Sequence, residues 1–350
     1  TKVKSRVMAN ALGELIDDAR QVYVMGHKYA DMDSLGAAVG ICCIARKRGK
    51  PCQIVIDTEN NAAHPILRRL SEQPEYANTA ISGQDAFIKC QPGSLLVVVD
   101  TNRPESVESE EMLETCNRVA VIDHHRKGVG YIEDAALVCH EPYSSSASEL
   151  VTELLQYVGE RDDKPNRVEA EGLLAGILLD TQDFTLHTGV RTFEAAAALR
   201  RYGAETERVR RLFDVTMVEY NAKADLVEKA RMYKNCAISV SGEVAPEARV
   251  AIAQAANDLL TIQGVDASFV AVQVGGGVNI SARSLGAVNV QVIMESLGGG
   301  GHQTMAAAQL KHITPEAAHS RIQTAIDQYR EAQKKSGLES ESEQKKKDKQ

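Results

Sequence analysis

Short apolar runs alternate with longer amphipathic segments in the first two thirds of the chain. The runs are rich in Val, Ile and Leu, as expected for strands that are buried on both faces of a parallel sheet. The predicted strands are residues 21–25, 52–56, 95–99 and 118–122, and the predicted helices are residues 9–20, 35–48, 64–70, 146–158, 167–178 and one or two within 191–211. This alternation predicts an α/β domain with a mostly parallel sheet.

A second alternating pattern follows a polar, helix-favouring stretch. Its predicted strands are residues 237–240, 267–274, 279–284 and a run that ends at 310, and its predicted helices are residues 247–260, 288–297 and 315–334. The pattern therefore predicts two domains: a larger one over residues 1–215, a helical linker over 216–235 and a smaller α/β domain over 236–335. Charged and polar residues dominate residues 336–350, which predicts a disordered tail.

The composition is that of an ordinary globular protein, with 43% hydrophobic and 25% charged residues among 350. The net charge of −8 argues against a surface that binds long nucleic acid, so a phosphate-bearing substrate must be captured locally. The seven cysteines are odd in number and form no Cys-x-x-Cys pair, which favours reduced thiols in a cytosolic protein.

No apolar stretch of about 18 residues is present, so no membrane span is expected in this chain. No signal peptide is visible either. The chain begins with Thr1 rather than methionine, which suggests a fragment of a longer protein. Membrane attachment of that longer protein stays open.

Acidic and histidine residues follow the predicted strands. They are His27, Asp31 and Asp33 after the first strand, Asp100 after the third and Asp123, His124 and His125 after the fourth, with Asp180 at the end of a later apolar run. The carboxyl ends of parallel strands meet at one edge of a sheet, so these side chains are expected to converge. Gathered carboxylates and imidazoles would be costly there without cations, which points to a pair of divalent metals.

Oxygen donors with one or two imidazoles suit Mn²⁺, Mg²⁺, Co²⁺ or Fe²⁺ better than a sulfur-rich zinc site does. Two such ions can activate a shared water and stabilise an in-line displacement at phosphorus. Asp100 stands alone after the central strand and is the candidate to bridge both ions. Each piece also has a simpler interpretation: Asp100 can cap a turn, and a His-His pair is often only polar loop. The metal hypothesis depends on the clusters occurring together.

These motifs carry a family resemblance. The order His-x-x-x-Asp-x-Asp, Val-Val-Asp-Thr, Asp-His-His and Leu-Leu-Asp-Thr resembles the DHH phosphoesterase superfamily, and Gly-Gly-Gly-Gly-His at 298–302 is similar to the substrate-binding loop of its DHHA1 partner domain. The first motif, MGHKYADMDSLGAA, is most similar to the C-terminal part of GdpP-type cyclic di-AMP phosphodiesterases. In that family, membrane helices precede the catalytic part, so the resemblance implies a cytoplasmic region of a membrane-anchored parent.

The resemblance also implies roles for the clustered residues. His27, Asp31 and Asp100 would hold one metal, and Asp33, Asp100, His124 and Asp180 would hold the other. His125 would contact the scissile phosphate or orient the ligands. Asp123 would accept a hydrogen bond from a ligating histidine rather than bind a metal itself. The family's usual metal implies two Mn²⁺ per chain, although the ligand types alone also fit Mg²⁺ or Co²⁺.

The glycine run at 298–301 either ends a helix or brings backbone N–H groups close to an anion. Phosphate binding in the family pattern would involve Arg283, Gly299, Gly300, Gly301 and His302. Arg103 and His187 would either reach the phosphates from the sheet edge or be solvated loop residues.

The resemblance implies a homodimeric phosphodiesterase that hydrolyses cyclic di-AMP to 5′-pApA, with activity on cyclic di-GMP or pApA left open. A nanoRNase or pAp phosphatase that acts on short oligoribonucleotides is the alternative. The absence of Trp and the few Phe residues favour a small nucleotide over a long strand. A family II pyrophosphatase is less favoured, because its second domain lacks the glycine-histidine loop. A nucleotide sensor without catalytic activity is also less favoured, because it would tolerate the loss of metal ligands, and all of the expected ligands are present here.

Overall fold

The structure is a computed structural model that describes residues 2–127, 130–158, 164–243, 250–301 and 303–347, without the side chains of residue 250 and residues 336–347. The chain divides into two compact units, Thr1–Asp214 and Val215–Gln350. The division lies one residue before the predicted end of the larger domain. Each unit is built on its own sheet.

The first unit contains a parallel sheet whose strand order is β3-β2-β1-β4-β5-β6. Its strands are β1 (Val22–Met25), β2 (Cys52–Val55), β3 (Ala80–Ile81), β4 (Leu95–Val99), β5 (Val119–Asp123) and β6 (Leu137–His140). Every residue of β1, β4 and β5 is buried, which explains their continuous apolar sequences. The chain runs from β1 outward to β3 and then returns to β4 beside β1. This reversal creates a crevice at the carboxyl ends of β1 and β4, where ligands bind in open α/β sheets.

Helices cover both faces of this sheet. They are α1 (Lys2–Asp18), α2 (Met32–Lys47), α3 (His64–Ser71), α4 (Gly83–Lys89), α5 (Glu110–Thr115), α6 (Ala147–Leu155), α7 (Arg167–Thr181), α8 (Val190–Arg201) and α9 (Thr206–Arg210). One core joins the sheet to α1, α2, α6 and α7, and a second core on the other face joins it to α4 and α5. The central helix α2 is buried along nearly its whole length, so it fixes the loop that follows β1.

The second unit contains a mixed sheet in the order β11-β12-β10-β9-β8-β7. Its elements are α10 (Met217–Glu228), β7 (Arg231–Tyr233), β8 (Cys236–Glu243), α11 (Val250–Leu259), β9 (Ala267–Val274), β10 (Gly277–Ser284), α12 (Val290–Ser296), β11 (Gly300–Gly301), β12 (Met305–Lys311) and α13 (Pro315–Lys347). β8 and β9 are parallel, and the other pairs are antiparallel. The two chain halves therefore share an α/β composition but differ in sheet type.

The segment that the sequence suggests as a linker belongs to the second unit. Helix α10 packs on α11 through Leu226, which is fully buried together with Ala255 and Leu259. Helices α12 and α13 cover the opposite face of the sheet. The sequence of α10 resembles that of a connector because Leu226 is the one residue of this helix that is buried.

The backbone of α13 is helical to Lys347, which differs from the predicted disorder after residue 335. Glu, Lys and Gln are abundant there and favour a helix once a preceding turn has formed. None of the helices in the part of the chain described here combines the length and apolar character that a membrane crossing requires.

Candidate metal centre

The clustered acids and histidines lie at the crevice between β1 and β4. His27 follows β1, Asp100 follows β4, and Asp123 is the last residue of β5. Asp180 differs from the others because it lies in the last turn of helix α7 rather than after a strand. The set predicted from sequence is therefore assembled from three strand ends and two helices.

Asp31 is the N-cap of α2, and its side chain accepts hydrogen bonds from the N–H groups of Asp33 and Ser34. The cap thus fixes the direction of Asp31 and begins the helix whose first turn carries Asp33. Asp33 itself is fully buried. Because the side-chain oxygen of Asp31 accepts hydrogen bonds from the first N–H groups of the helix, α2 begins at Met32, earlier than the helix predicted over residues 35–48.

One group of potential ligands consists of His27, Asp31 and Asp100. His27 Nε2 lies 3.7 Å from Asp31 Oδ2 and 3.4 Å from Asp100 Oδ2. One ligand atom from each residue lies within 4.8 Å of the others. His27 Nδ1 lies 2.9 Å from the carbonyl oxygen of Lys28 and donates to it, so Nε2 is the nitrogen that can bind a cation once it has lost its proton.

A second group consists of Asp33, Asp100, His124 and Asp180, again with ligand atoms within 4.8 Å. His124 Nε2 lies 3.3 Å from Asp100 Oδ1 and 3.2 Å from Asp180 Oδ2. The same nitrogen lies 4.0 Å from Asp33 Oδ2. Asp100 therefore offers Oδ2 to the first group and Oδ1 to the second, which is the arrangement that a bridging carboxylate needs.

Two buried atoms in this centre have no hydrogen-bond partner among the residues that the structure describes. They are Asp100 Oδ1 and His124 Nε2, which approach each other closely without hydrogen-bond geometry. Orphaned buried polar atoms are costly, so their convergence on one space indicates a missing positive partner. The donor set, oxygen and imidazole without sulfur, fits a pair of divalent cations.

The electrostatics of the site reflect the same crowding. Burial raises the pKa of Asp33 well above its usual range, and the charges of Asp100 and Asp180 raise it further. Burial likewise raises the pKa of Asp180 to about 6, although His124 opposes the shift. Burial would also raise the pKa of Asp100, but the adjacent imidazoles of His124 and His27 outweigh it and hold that pKa low. The three carboxylates therefore repel one another, and the positively charged histidines offset this repulsion only in part.

The histidines carry that charge in the absence of cations. Burial lowers the pKa of His27, but Asp100 and Asp31 outweigh it and raise the pKa to about 11. The pKa of His124 is raised well above its usual value against burial by Asp100 and Asp180. Protons thus occupy positions that a metal would take.

Cation uptake is consequently expected to release protons. The raised pKa of His27, about 11, means that its proton stabilises the metal-free fold below pH 6.5 and that this stabilisation is lost as the pH rises toward 11. Mn²⁺ affinity and the Mn²⁺-induced rise in Tm should both be greater at pH 8 than at pH 6. Calorimetric titration in two buffers of different ionisation enthalpy measures the released protons. Binding without proton release would show that these histidines are not ligands.

Asp123 supports His125 rather than joining the two ligand groups. His125 Nδ1 lies 2.8 Å from Asp123 Oδ1, and Asn102 Nδ2 donates to the other oxygen of the same carboxylate. Asn102 is buried and was not singled out from the sequence, because only the fold brings it onto Asp123. Burial lowers the pKa of His125, whereas the bond to Asp123 and the charge of Asp100 produce a net rise.

The backbone at Asp100 adopts a left-handed conformation with φ of 59°. Asp and Asn adopt this conformation more readily than other residues that carry a side chain. For a residue other than glycine it costs about 1 kcal/mol or more in conformational free energy. The sharp turn after β4 directs the Asp100 carboxylate back between the two histidines. Strain of this kind is commonly retained where a side chain must point in one direction.

The residues predicted to bind substrate do not form one cluster, unlike the predicted metal ligands. Arg103 and His187 are both exposed, on the loops after β4 and after α7. His302 lies outside the described residues. Gly299 and Gly301 lie against β12, where a Cβ atom would meet the backbone of Ala307 or Ala306. Close strand pairing therefore explains part of the glycine run, in addition to the two explanations considered from the sequence.

Arg283 on β10 is half-buried and has no carboxylate partner among the described residues. Its Nη1 donates to Ser281 Oγ and to the carbonyl oxygen of Ala282, whereas its Nε is buried without a partner. Burial alone lowers the pKa of Arg283 to about 10. A buried guanidinium without a counterion is suited to an anionic ligand.

An open cavity of about 440 Å³ lies on the same face of β10. Its lining includes Ile252, Asn279, Ser281, Gly299 and Gln309. Asn279 Oδ1 is buried and has no hydrogen-bond partner among the described residues. Sequence reasoning missed Asn279, since only the alternation of β10 places it beside Ser281 and Arg283.

Family models match both units of the chain. Residues 21–177 match the model of the DHH family, N-terminal domain, and residues 244–335 match the model of the DHHA1 domain. The first match contains all of the predicted metal ligands except Asp180, which lies three residues beyond it. The second match contains Arg283 and the glycine run.

Curated relatives and solved structures agree with these matches. The chain is 46% identical over 338 residues to the cyclic-di-AMP phosphodiesterase GdpP of Geobacillus thermodenitrificans, covering 95% of this chain and 51% of that protein. It is 45% identical over 336 residues to GdpP of Bacillus subtilis, covering 94% and 51%. The chain thus spans about half the length of these relatives. An exopolyphosphatase-related protein from Bacteroides fragilis shares the fold, with a TM-score of 0.79, 17% identity and coverage of 94% and 98%.

Proposed function

Because the chain belongs to the DHH/DHHA1 phosphoesterase family, we propose that it is a divalent-metal-dependent phosphodiesterase that hydrolyses cyclic di-AMP to 5′-pApA. The observation that carries this proposal is the pair of ligand groups that share Asp100 through its two oxygens. The relatives named for cyclic di-AMP hydrolysis support the choice of substrate.

The proposed cation ligands are His27, Asp31 and Asp100 for one ion and Asp33, Asp100, His124 and Asp180 for the other. Mn²⁺ is the proposed metal, and Mg²⁺ and Co²⁺ are compatible with the same donors. When bound, two such cations make a shared water acidic and offset the negative charge of the reacting phosphate.

The protein's own groups position and protonate the substrate. Asp123 holds His125 through Nδ1 and so fixes the orientation of the imidazole, which is proposed to contact the scissile phosphate. Against the effect of burial, Asp123 and Asp100 raise the pKa of His125, which favours the protonated imidazole, and we assign this group the donation of a proton to the departing 3′ oxygen. Asn102 locks Asp123 from the opposite side, which keeps the imidazole in one orientation.

The second unit is proposed to bind a phosphate and a base of the dinucleotide. Arg283 would form charge-assisted hydrogen bonds to the phosphate. The cavity lined by Ser281, the residue to which Arg283 donates, has the size and partly apolar lining that suit a nucleoside. Asn279 offers an amide, the group that pairs in two places with adenine.

The proposal is tested by incubating the chain with Mn²⁺ and, separately, cyclic di-AMP, cyclic di-GMP, pApA, pAp and a short oligoribonucleotide. Chromatography should show pApA as the first product from cyclic di-AMP, at the highest kcat/KM of the series. Failure to form pApA by a folded, Mn²⁺-loaded chain would refute the proposal. Faster hydrolysis of pAp or of the oligoribonucleotide would favour the nanoRNase alternative.

Replacing Arg283 with alanine is expected to raise KM for cyclic di-AMP about tenfold to a hundredfold with little change in kcat, because a charged hydrogen bond contributes roughly 1.5–3 kcal/mol. Steady-state kinetics measure this split. Arg321→Ala, an exposed change on α13 of the same unit, is the matched control and should behave as the parent. An unchanged KM for Arg283→Ala would remove this residue from the substrate site.

Replacing Asn279 with leucine is expected to raise KM for cyclic di-AMP about tenfold, since one pair of base contacts is worth roughly 1–3 kcal/mol. The substitution keeps the side-chain size but removes the amide. The KM for cyclic di-GMP should change less, because guanine presents a different edge. Equal effects on both substrates would mean that Asn279 does not read the base.

A further inference from the structure

The carboxylate of Asp33 is held by the N-terminus of helix α6. Oδ2 accepts a hydrogen bond of 2.7 Å from the N–H of Ala147, and Oδ1 accepts one of 2.8 Å from the N–H of Ser148. The hydroxyl of Ser148 also donates to the backbone oxygen of Asp33 at 3.2 Å. Each carboxylate oxygen thus has one fixed partner and keeps a further lone pair for a cation. The direction of Asp33 is set before any cation arrives.

A buried glutamate fixes that helix end in turn. Glu149 is 1% exposed, and its carboxylate accepts hydrogen bonds from Ser144 Oγ at 2.8 Å, from the N–H and hydroxyl of Ser145 and from Thr192 Oγ1 at 2.7 Å. Its own N–H donates to the N-cap hydroxyl of Ser146 at 3.0 Å. All of these carboxylate partners are neutral donors. Glu149 therefore acts as the anchor of the turn that leads into α6.

Helix α7 packs closely against Asp33 and the start of α6 at Gly176. A Cβ atom at position 176 would lie 2.7 Å from Asp33 Oδ1 and 2.8 Å from Asp33 Cα, and it would also meet the hydroxyl of Ser148. These separations are shorter than any normal carbon contact, so Asp33 or α6 would have to move. By contrast, a Cβ atom at Gly172, one turn earlier, would meet only Ile66 Cγ2 at 3.6 Å.

We propose that Gly176 and Glu149 are positioning residues that set the affinity of one cation site, the site built on Asp33, Asp100, His124 and Asp180. The proposal rests on the metal centre proposed above. Neither residue lies in the ligand groups; Gly176 gives Asp33 its space, and Glu149 holds the N–H groups that orient it. In the other site, built on His27, Asp31 and Asp100, only Asp31 is linked to this packing, through the hydrogen bond that it accepts from the N–H of Asp33, so that site is expected to change much less.

The test compares Gly176→Ala with the matched control Gly172→Ala. Paramagnetic resonance of free Mn²⁺ measures how many ions each chain binds and how tightly, without any substrate. The parent and Gly172→Ala should bind two ions. Gly176→Ala should bind one ion as the parent does and the second about tenfold to a hundredfold more weakly, the usual effect of losing a group that orients a ligand.

Glu149 supplies an independent pair of variants, which also decides the matter should Gly176→Ala fail to fold. Glu149→Gln should keep both ions, because its carbonyl can accept the bonds of Ser145 and Thr192 while the hydroxyl of Ser144 turns to accept. Glu149→Leu has no acceptor and should weaken the same single site. Circular dichroism verifies the fold of each variant.

Two tight ions in folded Gly176→Ala or in Glu149→Leu would overturn the proposal. Equal weakening of both sites would also overturn it, because the packing would then act on the whole centre. A parent chain that binds no Mn²⁺ would instead refute the proposed metal centre itself.

Discussion

Replacing Asp100 with asparagine is expected to lower kcat for cyclic di-AMP by at least about a thousandfold, equivalent to roughly 4 kcal/mol of lost transition-state stabilisation. Asp100 contributes a different oxygen to each ligand group, so its loss affects both. Asparagine has nearly the same shape and tolerates the left-handed backbone at this position, with φ of 59°. Single-turnover kinetics at saturating Mn²⁺ measure the change.

The matched control for this substitution is Asp18→Asn. Asp18 is exposed and pairs only weakly with Arg118 at 3.5 Å on the surface of the same unit. Its change should leave turnover within a factor of two of the parent, as expected for such a pair. If Asp100→Asn kept near-parental turnover, the shared-carboxylate arrangement would not be the catalytic centre.

Removing divalent cations is expected to abolish turnover and to destabilise the first unit. The carboxylates of Asp33, Asp100 and Asp180 repel one another when no cation separates them. Binding at a hundred times Kd contributes about 2.7 kcal/mol, which corresponds to a Tm difference of roughly 5–11 °C for a unit of this size. Scanning calorimetry with chelator and after Mn²⁺ addition measures the difference.

The Asp100→Asn variant also serves as the control for cation removal. Its Tm should respond much less to Mn²⁺ than that of the parent, since both ligand groups have lost one oxygen. An equal response in the two chains would mean that Mn²⁺ stabilises the fold from somewhere else. Activity that survived exhaustive chelation would contradict the metal-dependent mechanism.

The sequence predicted the central strands well and the peripheral elements poorly. Strands β1, β4 and β5 are buried on both faces, so their apolar runs are unbroken. Strand β6 alternates buried and half-buried positions, and β3 has only two residues. Neither carries a strong local signal, because pairing with the neighbouring strand rather than composition determines them.

The ligand types were predictable, but the way they are held was not. Strand ends identify Asp100 and His124 from local pattern, and the conjunction of motifs adds Asp180. The groups that orient them come from distant segments: the N–H groups of residues 147 and 148 reach Asp33 across more than a hundred residues. A Ser-x-x-Glu capping signature at 146–149 marks the start of α6, yet nothing local reveals what that helix end binds.

The most direct test of the metal centre is anomalous diffraction near the manganese edge from crystals grown with Mn²⁺. Two peaks about 3.5–4 Å apart, one on each side of Asp100, are predicted. A well-ordered first unit with no anomalous peak among His27, Asp33, His124 and Asp180 would contradict the central claim.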